Sequence, residues 1–160
     1  MTQQKALIGK RVFDGSGWHE DAAVIFEGGK ITGILPVDLL SVDMETIEGG
    51  EIIAPGFIDL QVNGGGGVLL NEEPTVEGIA TICAAHAKFG TTALLPTLIT
   101  DTFEITSRTV AAGIEAKKQG IAGFLGLHLE GPHLSLARKG AHDPTLIRPM
   151  EEQDLELILS

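Results

Sequence analysis

The chain has 160 residues, of which 43% are hydrophobic and 21% are charged, a composition that excludes a disordered segment and indicates a globular protein. Its formal net charge of −11 argues against a nucleic acid partner, because phosphate backbones are bound by basic patches. The lone Cys83 excludes an intrachain disulfide and favours a reducing compartment. The N-terminus lacks the apolar core of a signal peptide, and no run approaches the ~20 apolar residues of a membrane span. We therefore expect a cytoplasmic protein with no membrane partner.

Residues 1–54 are predicted to form short strands joined by tight turns. Gly28-Gly29 lies between two β-prone runs and predicts a two-residue hairpin. Because these strands are short and few, we expect them to need partner strands from elsewhere. The β-prone segments are Ala6–Ile8, Ala22–Glu27, Lys30–Leu35 and Thr46–Ile53, the last as two pieces around Gly49-Gly50.

From residue 55 onward, predicted strands and helices alternate at intervals of ~30 residues, which is the size of a βαβ unit. Such units form parallel sheets with right-handed crossovers, so the predicted class is α/β. Asp101 is the expected N-cap of the second helix and Gly120 its stop. The predicted strands are Phe57–Asn63, Thr91–Leu98 and Ile121–Leu129, and the predicted helices are Thr75–Phe89, Asp101–Gln119 and Met150–Leu159.

The length after residue 54 is enough for three βα units, whereas a complete (β/α)₈ barrel needs ~250 residues. Three parallel strands with two open edges would be prone to aggregate. We therefore expect this chain to be the first part of a longer polypeptide. The alternative is a self-contained three-layer fragment.

The segment Gly123–His142 carries the strongest candidate site. A short apolar run, predicted to be a buried strand, ends at Glu130. A carboxylate at such a position needs a metal, a cation or several donors to stay ionised, and active sites are built at the carboxyl ends of parallel strands. Glu130 is therefore our first candidate for metal ligation. The alternative is a structural carboxylate paired with a backbone amide or with Lys139.

The histidines have less specific interpretations. His128 precedes Glu130 by two residues and shares its face of the strand. It is therefore either a partner of the metal ligand or a hydrogen-bonded core histidine. We interpret His133 as a loop residue, His86 as a helix residue and His19 as a turn residue.

The first predicted strand of the α/β region ends in polar residues. Gln61 and Asn63 alternate with apolar neighbours, so we expect them to share an inward face. There they either bond to backbone or hold a metal-bound water. Asp59 is expected to bond to nearby backbone. Gly64–Gly67 is either an anion-binding nest or, as we favour, a tight loop that admits a substrate.

Several of these segments together resemble the amidohydrolase superfamily and, within it, the N-acetylglucosamine-6-phosphate deacetylase family. The resemblance covers the whole chain but only the N-terminal part of the family's length. The segments that carry it are Pro55-Gly56-Phe57-Ile58-Asp59, Gln61-Val62-Asn63-Gly64, Leu94-Leu95-Pro96-Thr97, His128-Leu129-Glu130-Gly131-Pro132 and Lys139-Gly140-Ala141-His142.

The resemblance implies that residues 1–54 are part of a small β-sandwich domain. Residues 55–160 would be the first three βα units of a (β/α)₈ TIM-like barrel. It further implies a homodimeric hydrolase of linear amides that acts in aminosugar catabolism. The implied reaction converts N-acetylglucosamine 6-phosphate to glucosamine 6-phosphate and acetate, with one divalent metal ion, zinc being the expected metal.

The resemblance also implies roles for individual residues. Glu130 would be the first protein ligand of the metal, and Ala141 and His142 would bind the substrate. Many amidohydrolases carry His-x-His where this chain has Gln61 and Asn63. Because amides are poor zinc ligands, we expect one metal and not two. The other ligands and the catalytic aspartate are expected beyond residue 160, so no catalytic residue is assigned within this chain.

Two other functions stay open at this point. The first is a different metal-dependent amidohydrolase that acts on a cyclic amide or another acylated amine. The second is a non-catalytic truncated remnant, which the lack of the downstream ligands would favour. The Gln61/Asn63 pair and the segment Lys139–His142 favour the deacetylase.

Overall fold

The computed structural model describes residues 3–159 and divides into two compact units, with the boundary between Pro55 and Gly56. The chain is a mixed α/β protein, as predicted. None of the helices within residues 3–159 is long and apolar enough to cross a membrane. The elements are β1 (Lys5–Phe13), β2 (Trp18–Glu27), β3 (Lys30–Pro36), β4 (Glu45–Ile53), β5 (Phe57–Val62), α1 (Val76–Ala87), β6 (Thr91–Ile99), α2 (Phe103–Gln119), β7 (His128–Glu130) and α3 (Glu152–Leu159).

The first unit is a four-stranded sheet in the order β3-β2-β1-β4. The strand β1 runs antiparallel to β2 and parallel to β4. The hairpin between β2 and β3 is closed by the pair Glu27 and Lys30. Gly28 and Gly29 have φ values of 57° and 78°, the left-handed backbone that a two-residue hairpin turn requires. The predicted hairpin is therefore confirmed.

The prediction of two separate pieces around Gly49-Gly50 is wrong, because β4 is one continuous strand. Its register against β1 shifts between Ile8 and Gly9, where the pairing moves from Glu48 to Gly50. One residue, Gly49, is thus extra in a β-bulge. The glycine pair therefore shifts the register without ending the strand.

The second unit contains the parallel sheet β5-β6-β7, with α1 and α2 as the connections between successive strands. This order confirms the predicted βαβ arrangement. The helices pack on one face of the sheet through a continuous apolar core. Its buried members are Val62, Leu70, Ile79, Ile82, Cys83, Leu94, Leu98, Ala112, Ala116 and Phe124.

The last predicted strand is wrong in extent, because β7 covers only His128–Glu130 instead of Ile121–Leu129. Gly123 has φ +81°, which breaks the extended backbone. Its carbonyl oxygen accepts a hydrogen bond from the Leu94 N–H at 2.8 Å, so the turn is fixed against β6. The apolar run packs on the sheet edge mostly as a turn and irregular chain.

The N-cap of α2 lies one residue later than predicted: it is Thr102 and not Asp101. The Thr102 hydroxyl accepts from the Ile105 N–H at 3.3 Å. The carboxylate of Asp101 instead accepts from the side chain of Asn71 at 2.8 Å and from the Thr102 N–H at 2.7 Å. Gly120, with φ +68°, ends the helix as predicted.

Replacing Thr102 with alanine should therefore lower the free energy of unfolding by about 1 kcal/mol, because the Ile105 N–H loses its acceptor. Urea denaturation would measure the loss. Ser107→Ala, within the same helix but away from its end, is the matched control. An equal loss in both variants would contradict the capping role.

Candidate active site

Polar side chains gather at the carboxyl ends of the three parallel strands. In β6 and β7 the side chains of Leu98 and Leu129 pack into the apolar core. Because successive side chains alternate between the two faces of a strand, Thr97 and Glu130 lie on the opposite face. Gln61 reaches the same place from the end of β5, since its amide contacts Glu130.

The carboxylate of Glu130 has a partner at each oxygen. The Gln61 Nε2 donates to Oε2 at 2.9 Å, and the His142 Nε2 lies 3.2 Å from Oε1. The Glu130 side chain is 31% exposed, so it can be reached from solvent. The structural alternative, a pair with Lys139, is not present, because the Lys139 ammonium donates to the carbonyl oxygens of Gly140 and His142.

His142 lies on the long segment between β7 and α3 and is brought back to the strand ends by two contacts. Its Nε2 faces Glu130, and its Nδ1 lies 2.8 Å from the hydroxyl of Thr100. Its side chain is only 13% exposed. Glu130 and His142, 12 positions apart in the sequence, are therefore in contact, which supports one site that contains both.

The two ends of that segment meet at Arg148, which contacts Pro132 and His133 at one end and forms a half-buried ion pair with Asp154 at the other. The Arg148 guanidinium donates to both oxygens of Asp154 at 2.6 and 2.5 Å, and the Arg148 N–H donates to the Pro132 carbonyl oxygen at 3.2 Å. His133 contacts the Arg148 carbonyl oxygen through Nδ1 at 3.1 Å. The hydrogen bonds from Arg148, together with the Glu151 N–H, lower the pKa of Asp154 to about 2. The segment that carries His142 is thus anchored at its base.

A cavity of about 280 Å³ opens beside Glu130. It brings together four of the residues predicted to belong to a site: Asn63, Glu130, Ala141 and His142. The cavity is lined by Asn63, Leu69, Asn71, Thr97, Ile99, Glu130, Ala141 and His142.

Gln61 and Asn63 share one face at the end of β5, as expected: Gln61 contacts Glu130, and Asn63 lines the cavity beside it. Both side chains are exposed in the part of the chain that the structure describes. The Gln61 amide bonds to a carboxylate and not to backbone. His128 is paired in register with Thr97. Its buried Nδ1 has no hydrogen-bond partner among the described residues, so the structure shows no hydrogen bond from this atom that would make His128 a hydrogen-bonded core histidine.

The glycine loop after β5 is a tight turn, as favoured. The Gly64 N–H donates to the Val62 carbonyl oxygen, and the Gly65 N–H donates to the Val68 carbonyl oxygen at 2.9 Å. These two N–H groups are therefore already used within the loop and do not point to an anion. His86 supports the loop through its Nε2, 2.9 Å from the Gly64 carbonyl oxygen.

Three residues near the site were not predicted from the sequence. Thr97 and Thr100 lie at the end of β6, where the strand-end argument used for Glu130 would have found them. Asn71 had no signal in the sequence. Its amide accepts from the Ile99 N–H at 3.2 Å and donates to the Ile99 carbonyl oxygen at 3.1 Å, which completes the hydrogen bonding at the end of β6.

The donor set suits a metal ion only in part. Carboxylate and imidazole groups are preferred zinc ligands, and Glu130 and His142 supply one of each. Within residues 3–159, however, no group of three or more histidine, cysteine, aspartate or glutamate side chains is placed to hold a metal. The hydroxyl oxygen of Thr97, buried in the cavity wall, has no partner among the described residues. The residues present can supply the first ligand but not a complete set.

Residues 52–159 match the model of the amidohydrolase family, and the chain belongs to that family. Among curated relatives, it is 46% identical over 110 residues to the N-acetylgalactosamine-6-phosphate deacetylase of Shewanella sp. (strain ANA-3), covering 69% of this chain and 28% of the relative. It is 40% identical over 144 residues to the N-acetylglucosamine-6-phosphate deacetylase of Haemophilus influenzae, covering 89% of this chain and 38% of the relative.

Solved structures of deacetylases are also similar to this chain. The crystal structure of N-acetylglucosamine-6-phosphate deacetylase from Pasteurella multocida is similar with a TM-score of 0.91 and 33% identity, covering 97% of this chain and 41% of that one. The corresponding enzyme from Mycobacterium smegmatis is similar with a TM-score of 0.84 and 26% identity, covering 97% of this chain and 43% of that one. The chain thus spans less than half the length of these proteins.

Proposed function

We propose that this chain is the N-terminal part of a metal-dependent deacetylase that converts N-acetylglucosamine 6-phosphate to glucosamine 6-phosphate and acetate. The observation that carries the proposal is the carboxylate of Glu130, held between Gln61 and His142 at the carboxyl ends of parallel strands. The named activities of the relatives from Haemophilus influenzae and Pasteurella multocida support the substrate.

In this proposal Glu130 holds one divalent metal ion, with zinc as the expected metal, and the remaining ligands come from outside residues 3–159. The amide of Gln61 fixes the orientation of the carboxylate by donating to Oε2. Amides at Gln61 and Asn63, in place of imidazoles, favour one metal over two. A divalent metal held there would supply Lewis-acid chemistry, polarising an amide carbonyl and lowering the pKa of a water molecule.

The cavity residues bind and orient the sugar. His142 contributes a ring nitrogen beside Glu130, and Ala141 contributes a small side chain that leaves room for a substrate. The amide of Asn63 offers donors and an acceptor for hydroxyl groups. No residue of this chain is assigned the proton transfer, which is expected from an aspartate further along the complete protein.

The wider architecture is part of the same proposal. Residues 55–160 would be the first three βα units of a (β/α)₈ TIM-like barrel, and residues 1–54 part of a small β-sandwich domain. The parallel order β5-β6-β7, with the cavity at its carboxyl end, supports the barrel. A cytoplasmic location is supported by the lone, buried Cys83. The homodimer rests on the family resemblance alone.

A second candidate substrate is N-acetylgalactosamine 6-phosphate. The relative from Shewanella sp. that is named for this activity is 46% identical over the matched segment. The two sugars differ only in the configuration of one ring hydroxyl. The same metal, carboxylate and histidine would therefore serve either substrate.

A substrate panel tests the proposed activity. Acetate release should be measured with the protein purified from its source, using both N-acetylhexosamine 6-phosphates, unphosphorylated N-acetylglucosamine and a cyclic amide. We expect release from N-acetylglucosamine 6-phosphate and a loss of at least about tenfold in kcat/KM without the phosphate.

Release only from the galactosamine compound would favour the second candidate. Turnover only of the cyclic amide, or of unphosphorylated amides, would contradict both and favour a different amidohydrolase. No turnover together with no bound metal would support a non-catalytic remnant.

A further inference from the structure

We propose that Thr100 is a positioning residue that keeps the hydrogen of the His142 ring on Nε2. His142 then presents an N–H donor to the cavity beside Glu130, and the ligand group it recognises is an oxygen acceptor. The proposal rests on the proposed function only in treating His142 as a substrate contact.

Thr100 follows β6 directly and is buried, with 6% of its surface exposed. Its hydroxyl oxygen lies 2.8 Å from the His142 Nδ1 and 3.3 Å from the Glu130 carbonyl oxygen. A Cβ atom on Gly131 would come within 2.0 Å of this hydroxyl, so the chain leaves room for it only by having glycine there. The hydroxyl is therefore enclosed by the two segments that carry Glu130 and His142.

The hydrogen count favours one arrangement of these groups. An ionised carboxylate only accepts hydrogen bonds, and a neutral imidazole has one N–H and one lone pair. The Glu130 Oε1 faces the His142 Nε2 at 3.2 Å, so Nε2 must carry the hydrogen. The Nδ1 then has a lone pair, and the Thr100 hydroxyl is the donor that satisfies it.

The opposite arrangement of hydrogens gives less favourable contacts at both ring nitrogens of His142. If Thr100 donated to the Glu130 carbonyl oxygen, it would use the longer contact, at 3.3 Å in place of 2.8 Å. The Nδ1 would then have to donate to Thr100, and the lone pair on Nε2 would face the carboxylate. Two acceptors would be in contact, which costs free energy at a site with little exposure.

The position of the hydrogen determines which ligand groups His142 can bind. With Nδ1 bonded to Thr100, the N–H on Nε2 is aimed along the cavity wall toward Glu130. A carbonyl, hydroxyl or phosphate oxygen of a substrate in the cavity can accept from that N–H in place of Glu130. Without Thr100 the ring would be free to turn a lone pair toward the same oxygen.

The direct test is nitrogen NMR of the complete protein, freed of metal and labelled with ¹⁵N-histidine, which reports which ring nitrogen of His142 carries the hydrogen. We expect hydrogen on Nε2 in the wild type and in Thr100→Ser, which keeps the hydroxyl. In Thr100→Val, which keeps the shape, we expect a mixture or a shift to Nδ1. Thr109→Val, the loss of a buried hydroxyl in α2, is the matched control and should leave His142 unchanged.

Kinetics provide a second readout. Thr100→Val should raise KM about tenfold with a smaller change in kcat, and Thr100→Ser should restore KM to within about threefold of the wild type.

Hydrogen on Nδ1, or on both nitrogens, in the wild type would overturn the proposal, as would an unchanged His142 in Thr100→Val. If Thr100→Val does not fold, the wild type and Thr100→Ser decide. The NMR result does not depend on turnover, so it separates this proposal from the proposed function.

Discussion

Replacing Glu130 with glutamine should remove the bound metal and lower kcat/KM of the complete enzyme by at least about 10²-fold. Glutamine keeps the shape of the side chain but replaces a negative oxygen ligand with a neutral amide, which zinc binds poorly. Changes to residues that only support a ligand already cost 10–100-fold in affinity or activity, so loss of the ligand itself should cost more. Metal content by mass spectrometry and acetate release on the same sample would measure both effects.

Glu104→Gln is the matched control, because Glu104 is exposed in the first turn of α2, away from the cavity. It should keep both metal and activity. If Glu130→Gln retained its metal, Glu130 would not be a ligand. If it lost activity while keeping metal, Glu130 would instead act through its contacts with Gln61 or His142.

Replacing Asp154 with asparagine should lower the free energy of unfolding by on the order of 3 kcal/mol, because it leaves the charge of Arg148 without its partner. The Asp154 side chain is 5% exposed, and it accepts two hydrogen bonds from Arg148 and one from the Glu151 N–H. The anchor of the segment between β7 and α3 would be weakened, and with it the position of His142. Urea denaturation at neutral pH would measure the loss.

The loss of stability caused by Asp154→Asn should also depend on pH. The pKa of Asp154 in the folded state, about 2, lies below its ordinary value of 3.8. Its contribution to stability is therefore fully present above about pH 4 and is lost as the pH falls toward 2. The stability difference between wild type and Asp154→Asn should shrink over that interval. Glu152→Gln, an exposed neighbour in α3, should show no such difference, and a pH-independent difference for Asp154→Asn would contradict the role of the ion pair.

The alternation of strands and helices was predictable because the glycines and apolar runs act locally. Gly28-Gly29 and Gly120 stop their elements through their own backbone freedom, and no distant residue competes with them. The N-cap of α2 was not predictable in the same way. Asp101 and Thr102 are both good caps, and the choice between them follows from Asn71, 30 residues earlier in the chain, which engages Asp101.

Glu130 could be identified as a candidate because its position at a strand end is a local property of the sequence. Its partners could not be derived from spacing alone, since Gln61 lies 69 residues away and His142 lies on an irregular segment. The family resemblance identified His142 as a substrate contact but not its contact with Thr100. Contacts of this kind depend on how three strand ends meet, which only the folded chain determines.

The one-metal site is tested most directly by anomalous diffraction from crystals of the complete protein, recorded at the absorption edge of zinc. We expect one metal peak within about 2.0–2.2 Å of a Glu130 oxygen, and no second peak between Gln61 and Asn63. A metal bound without Glu130, or a second ion at the two amides, would contradict the one-metal site proposed for this chain.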